Sequence, residues 1–237
     1  MSSNRILVVR LALILGFLTY ACTAAVPPGH AGGLTSIAPN ENELVDGLKE
    51  ALSVGTREAI KLVSDVDGYF GHEIIKVLMP EELNSVASTL ETIGFQKQVD
   101  EFVLSMNRAA EAAAPAALDI FGEAVKAMTF EDAADILGGG ETAATEYFRD
   151  KTSDKIFEAF QPIISASMEE VGATQAYKQI SEKYSSLPLV KDVTLDLDAY
   201  VTNKALDGLF YMVGEEEKKI RTDPAARVTD LLKKVFK

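Results

Sequence analysis

The chain has 237 residues, 47% of them hydrophobic and 25% charged, with 16 Gly and 8 Pro. That length fits one or two domains at roughly 150 residues each, and the proportions are those of a globular chain with a core, which excludes disordered, collagen-like and coiled-coil-only classes. Asp plus Glu at 36 against Lys plus Arg at 23 leaves a net charge of −13, the wrong sign for a nucleic-acid footprint or for anionic lipid, while one Cys, two His and no Trp leave few groups for metal ligation, thiol chemistry or imidazole catalysis.

The first segment carries Arg5 and Arg10 without an acid, then the apolar run LALILGFLTYA (Leu11 to Ala21), then small residues. This is the tripartite pattern of an export signal, and it predicts a signal peptide over residues 1–21. A retained transmembrane helix is the weaker reading, because the run is about eleven residues where a span needs about twenty. The only cysteine, Cys22, follows directly, where a bacterial lipoprotein carries its lipid. Ala21 fits that pattern, whereas Thr19 and Tyr20 do not, so two processing routes stand side by side: lipid attachment at Cys22, or ordinary cleavage at Ala21, Ala24 or Ala25. A lipid on Cys22 is the one membrane attachment expected. Losing Arg5 and Arg10 makes the mature chain two charges more negative. Residues 22–40 hold three prolines, three glycines and no charge, the composition of a flexible linker, and His30 is read there as a solvated linker residue.

From Glu41 to Lys237 the apolar residues recur at three and four, predicting an all-α, single-domain multi-helix bundle. Val45, Leu48, Leu52, Gly55, Ala59, Leu62 and Val66 form the seam of the first helix, with Gly55 expected to admit a neighbouring backbone. A break with Gly68 and Gly71 follows. A second helix starts at Pro80, carries Glu81 and Glu82 in its first turn, stripes Leu83, Val86, Ala87, Leu90 and Ile93, and ends at Gly94. Gln96 to Met128 reads as an alanine-rich central helix that Pro115 must kink or divide. Thr129 and Asp132 make a capping box for a short helix that Gly138 to Gly140 terminate. Thr142 is expected to cap one further helix, and Thr152 or Ser153 a separate longer one with a bend at Pro162. A helix from Gly172 to about Tyr184, an extended stretch over Leu187 to Leu197, and helices over Asp198–Arg221 and Ala225–Phe236 complete the reading.

Two long strings carry a family likeness. MNRAAEAAAPAALDIFGEAVKAMTFEDAADILGGGETAAT, Met106 to Thr145, and ALDGLFYMVGEEEKKIRTDPAARVTDLLKKVFK, Ala205 to Lys237, together with GLKEAL at Gly47, resemble the exported bacterial family known as domain of unknown function 4197. The likeness spans nearly the whole helical body. It implies an exported helical domain with no assigned activity, and it carries over no catalytic residue.

The residues themselves offer few sites. His72-Glu73-Ile74-Ile75-Lys76 begins like a zincin helix, but Lys76 stands where the second histidine must be. Asp65-Val66-Asp67-Gly68 lacks the oxygen ligands, glycine and final Glu of a calcium loop. Asp192, Asp196 and Asp198 are the weak metal candidates, usually only solvated acids. Gly138 to Gly140 leads into Glu141 rather than a phosphate-binding lysine, so it joins two helices and holds no anion. Asn107, Arg108 and Glu111, one helical turn among small alanines, form either a buried polar network or a ligand lining; Tyr147 with Arg149, and Arg221 with Arg227, are secondary candidates of the same kind. Glu215 to Lys219 with Arg221 reads as a solvated helix face. No serine-nucleophile elbow occurs and only His72 could serve a triad in the folded body, so no catalytic residue and no cofactor is expected. The expected function is an exported, non-catalytic binding module of the cell envelope, for a protein partner or an apolar ligand between helices. A carboxylate-based or cation-dependent envelope hydrolase and a chaperone-like role are the alternatives.

Overall fold

The computed structural model describes residues 41–170 and 195–227, together with Lys233. Among them every regular element is helical. The leader, Cys22, His30, the helix expected over Gly172 to Tyr184, Asp192 with most of the extended stretch expected over Leu187 to Leu197, and most of the last expected helix lie outside the described residues.

Helix α1, Glu41–Ser64, opens with Glu41 and Glu43 and closes with Lys61, each sign suited to its end of the helix dipole. Its buried face runs through Leu48, Leu52, Ala59 and Val63 and includes Ala51 and Ile60. Leu62 and Val66 are off that seam, 40% and 78% exposed. The strict 3-4 rhythm drifts round a straight helix, and Val66 lies beyond its end. After a looped segment, Pro80 precedes a 3-10 turn, Glu81–Leu83, and α2, Asn84–Thr92. Gly94 follows at φ 93°, the left-handed stop that favours glycine, and Ile93 is left exposed instead of joining the stripe.

Pro115 divides the alanine-rich segment as its missing N–H requires: α3, Gln96–Ala113, a 3-10 turn, Ala114–Ala116, and α4, Ala117–Ala127. Ala109, Ala110, Ala113, Ala114 and Ala117 are fully buried, so α1 and α6 approach the division closely. The capping box of Thr129 and Asp132 starts α5, Phe130–Gly138, with the Thr129 hydroxyl accepting from the Asp132 N–H at 3.1 Å and the Asp132 carboxylate accepting from the Thr129 N–H at 2.9 Å.

Helix α6, Ala143–Glu170, is one element where two were expected. Thr152 and Ser153 do not cap; their hydroxyls donate back to the carbonyls of Phe148 and Arg149 inside the helix. What holds it together is a seam at spacing four, Phe148, Thr152, Ile156, Phe160, Ile164 and Met168, all buried. Pro162 is tolerated because it and Glu158, whose carbonyl loses its helical donor, both face water.

Helix α7, Leu197–Thr222, packs chiefly on α6 and α1 and also on α3, and a 3-10 turn, Pro224–Ala226, follows. Phe210 of α7 meets Phe121 of α4 at 5.9 Å, and Phe121 meets Phe148 of α6 at 5.0 Å, the spacing of favourable tilted and edge contacts.

Two glycines show different needs. Gly55 meets α7 through side chains, and an added Cβ would lie 3.4 Å from Ile220 and 3.8 Å from Glu216, so no backbone approach requires it. At Gly208 an added Cβ would stand 2.5 Å from the Tyr69 ring and 3.1 Å from the Ile75 Cβ. The Tyr69 ring is fully buried and held at its hydroxyl, so it cannot swing aside. Gly208→Ala is therefore expected to destabilise by about 1–3 kcal/mol net of helix propensity, which alone would favour alanine by about 1 kcal/mol. A variant melting at or above the parent temperature in a thermal scan would show that this approach is not tight.

Candidate functional site

The segment between α1 and α2, residues 65–80, is anchored on two helices by the polar residues that the alanine-rich sequence isolates. Glu111 on α3 is buried, and one carboxylate oxygen accepts the N–H groups of Tyr69 at 3.1 Å and Phe70 at 3.2 Å. Its other oxygen takes Arg108 at 2.6 Å, and Arg108 reaches on to Asp67, also at 2.6 Å. Asp67 sits at φ 67°. That left-handed conformation is uncommon outside glycine, although Asp is among the residues that adopt it. The hydrogen bonds to Glu111 first, and to Asp67 second, raise the Arg108 pKa above its ordinary value and hold it charged.

One turn back, Asn107 is wholly buried and treats Val77 as a strand partner would. Its side-chain oxygen accepts the Val77 N–H and its amide donates to the Val77 carbonyl, both at 2.8 Å. On the far side, the Tyr69 hydroxyl donates to the Ala205 carbonyl of α7 at 2.7 Å, and burial first, the Glu111 charge second, drives its pKa upward. No buried side-chain nitrogen or oxygen among the described residues lacks a partner. These groups are therefore committed to the scaffold, one layer behind the surface they position.

That surface is a groove of about 1030 Å³ between residues 74–82, α2, α3 and α7. Ile74 and Leu78 line it while 64% and 61% exposed, and Ile75, Met79, Val103 and Tyr211 add apolar area. Tyr200 of α7 ties the segment down by donating to the Leu78 carbonyl at 3.1 Å. Its pKa is raised by burial and then by the charges of Glu82 and Glu81. A second, apolar pocket between α2 and α3 has about 10 Å³ of room, no more than a single water needs.

The sequence model of the family described as "Protein of unknown function (DUF4197)" matches residues 38–237. The chain belongs to this family. No curated protein and no solved structure matches it. The DUF4197 fold treats the remaining candidates as follows. Arg149 stands over the Phe210 ring at 4.5 Å and 3.4 Å from Asp207, while the Tyr147 hydroxyl donates to the Ala124 carbonyl at 3.3 Å. Arg227 donates to the carbonyls of Ile220 and Arg221 and so closes the end of α7. Asp196 caps the start of α7 by accepting from the Ala199 N–H at 3.0 Å, with Asp198 in the first turn. Among the described residues no three His, Cys, Asp or Glu side chains converge as a metal site, and no helix is long and apolar enough to cross a membrane.

His72 accepts the Ile74 N–H at its Nδ1, 3.2 Å away, and so shapes the groove wall. Lys76 lies 3.9 Å over the Phe70 ring.

On the face expected to be solvated, Glu215 pairs with Lys218 at 2.9 Å and Glu216 with Lys219 at 2.5 Å, but Glu217 departs from that expectation. Glu217 is buried and accepts the N–H groups of Ala144 at 3.0 Å and Thr145 at 2.9 Å, with the Thr145 hydroxyl at 2.8 Å. It caps α6 from a distant helix, while the Thr142 hydroxyl, expected to cap, pairs with Glu146 instead. Arg221 joins Glu217 to the Ile136 carbonyl at the end of α5. Nothing in the run EEEKK marks its last acid as different; the missing signal is the start of α6, which has no local cap.

Proposed function

We propose that this DUF4197 protein is a non-catalytic binding module of the cell envelope whose groove between residues 74–82 and α7 engages a protein partner. The groove carries the reading: it is open, partly apolar, and built on a segment that Asn107, Glu111 and Tyr69 pin in place. Exposed apolar side chains gathered at a concave surface are what a partner site needs, whereas the small apolar pocket between α2 and α3 has no room for an apolar ligand. The envelope location rests on Arg5, Arg10 and the apolar run after them. A photoreactive amino acid placed at Leu78 in living cells is expected to give a discrete protein adduct, and one at exposed Glu158 on α6 to give none. Adducts that fail to form at Leu78, or form equally at both positions, would remove the groove as the working surface.

A further inference from the structure

Five carboxylates line the groove, Glu81, Glu82, Glu91, Asp100 and Asp207, against two ammonium groups, Lys76 and Lys204. Both lysines are drawn toward aromatic faces, Lys76 to Phe70 and Lys204 to Tyr200 at 5.8 Å. Asp207 has the Arg149 contact and Asp100 accepts from the Gln96 amide at 2.9 Å. Glu81, Glu82 and Glu91 are exposed, and no ion pair joins any of them to a described residue. Their negative potential is therefore not cancelled locally, and it lies beside exposed Ile74 and Leu78. An anionic or purely apolar occupant would face uncompensated like charge or leave the acids without partners, whereas a segment carrying both cations and apolar side chains satisfies both parts of the lining.

We infer that the groove takes a cationic, apolar peptide segment of a partner protein, its Lys or Arg side chains against Glu81, Glu82 and Glu91 and its apolar side chains against Ile74 and Leu78. The inference rests on the groove being the binding surface. It is tested with the full-length chain and three dye-labelled peptides of equal length, read by fluorescence anisotropy: one of Leu and Lys, one of Leu and Glu, one of Ser and Lys. The Leu/Lys peptide is expected to bind, and each of the other two to bind at least about tenfold more weakly. The double variant Glu81→Lys/Glu82→Lys should weaken Leu/Lys binding by about tenfold or more, while Glu131→Lys, an exposed acid on α5, leaves it within about twofold. Leu78→Asp should weaken it as well, and added salt should reduce it. Because these positions are exposed, unchanged circular dichroism is expected for all variants. Equal binding of Leu/Lys and Leu/Glu peptides, both lost in Leu78→Asp, would overturn the cationic preference and leave the groove standing. Binding of no peptide, or binding indifferent to all the variants, would overturn the inference; only the Leu78 adduct experiment then decides the fate of the groove itself.

Discussion

Glu217→Ala is expected to lower the unfolding free energy by about 4 kcal/mol. The carboxylate is 6% exposed and closes the N-terminus of α6 through Ala144 and Thr145, where the positive end of the helix dipole reinforces the bonds. Removing it strands two buried N–H groups at about 1–3 kcal/mol each. It also strands Arg221, whose loss is softened because it keeps the Ile136 carbonyl at 2.8 Å. The comparison that isolates this role lies two residues away. Glu215 pairs with Lys218 at 2.9 Å, with side chains 36% and 42% exposed, so Glu215→Ala should stay within about 0.5 kcal/mol of the parent. Equilibrium urea unfolding measures both. If the two variants differ by less than about 1 kcal/mol, the distant cap does not hold α6 and the last acid of the run is surface after all.

The second large effect is expected at Glu111→Ala, about 3 kcal/mol, because the Tyr69 and Phe70 N–H groups lose their only acceptor in the buried layer. The figure lies below that for Glu217 because Arg108 is 32% exposed and keeps Asp67, so it is rehydrated rather than stranded. Arg108→Ala should cost less, about 1 kcal/mol, since Glu111 retains both backbone donors. Hydrogen exchange gives the local readout. In Glu111→Ala the amides of Tyr69 and Phe70 should exchange much faster than in the parent, while those of the α6 seam keep pace with global stability. Unaltered protection at Tyr69 would mean that Ala205 and the Gly208 contact hold the segment unaided.

Features that depend on near neighbours in the chain are those a reader of the sequence can find. Pro115 divides its helix, and Thr129 with Asp132 opens the next, because a missing donor and a three-residue capping box act within one turn. The burial of Asn107 and Glu111 follows from their alanine neighbours, whose small side chains admit other helices. Their partners do not follow, since Tyr69, Phe70 and Val77 come from an irregular segment with no periodicity to place it. Thr152 and Ser153 mislead for a local reason: hydroxyl residues favour caps, but the seam from Phe148 to Met168 outweighs that preference. The groove is the least legible feature, because its walls come from three separate parts of the chain and only folding brings Leu78 beside Tyr200.

The dependence on α7 also sets an order of assembly. Tyr69 finds its acceptor 136 residues later, and the start of α6 finds Glu217 72 residues later. A chain emerging from the ribosome N-terminus first has α1 to α6 available long before α7, yet neither contact can close until the last fifth of the sequence arrives. Such non-local closure ties the groove to α7, so its walls cannot come together before that helix has been made.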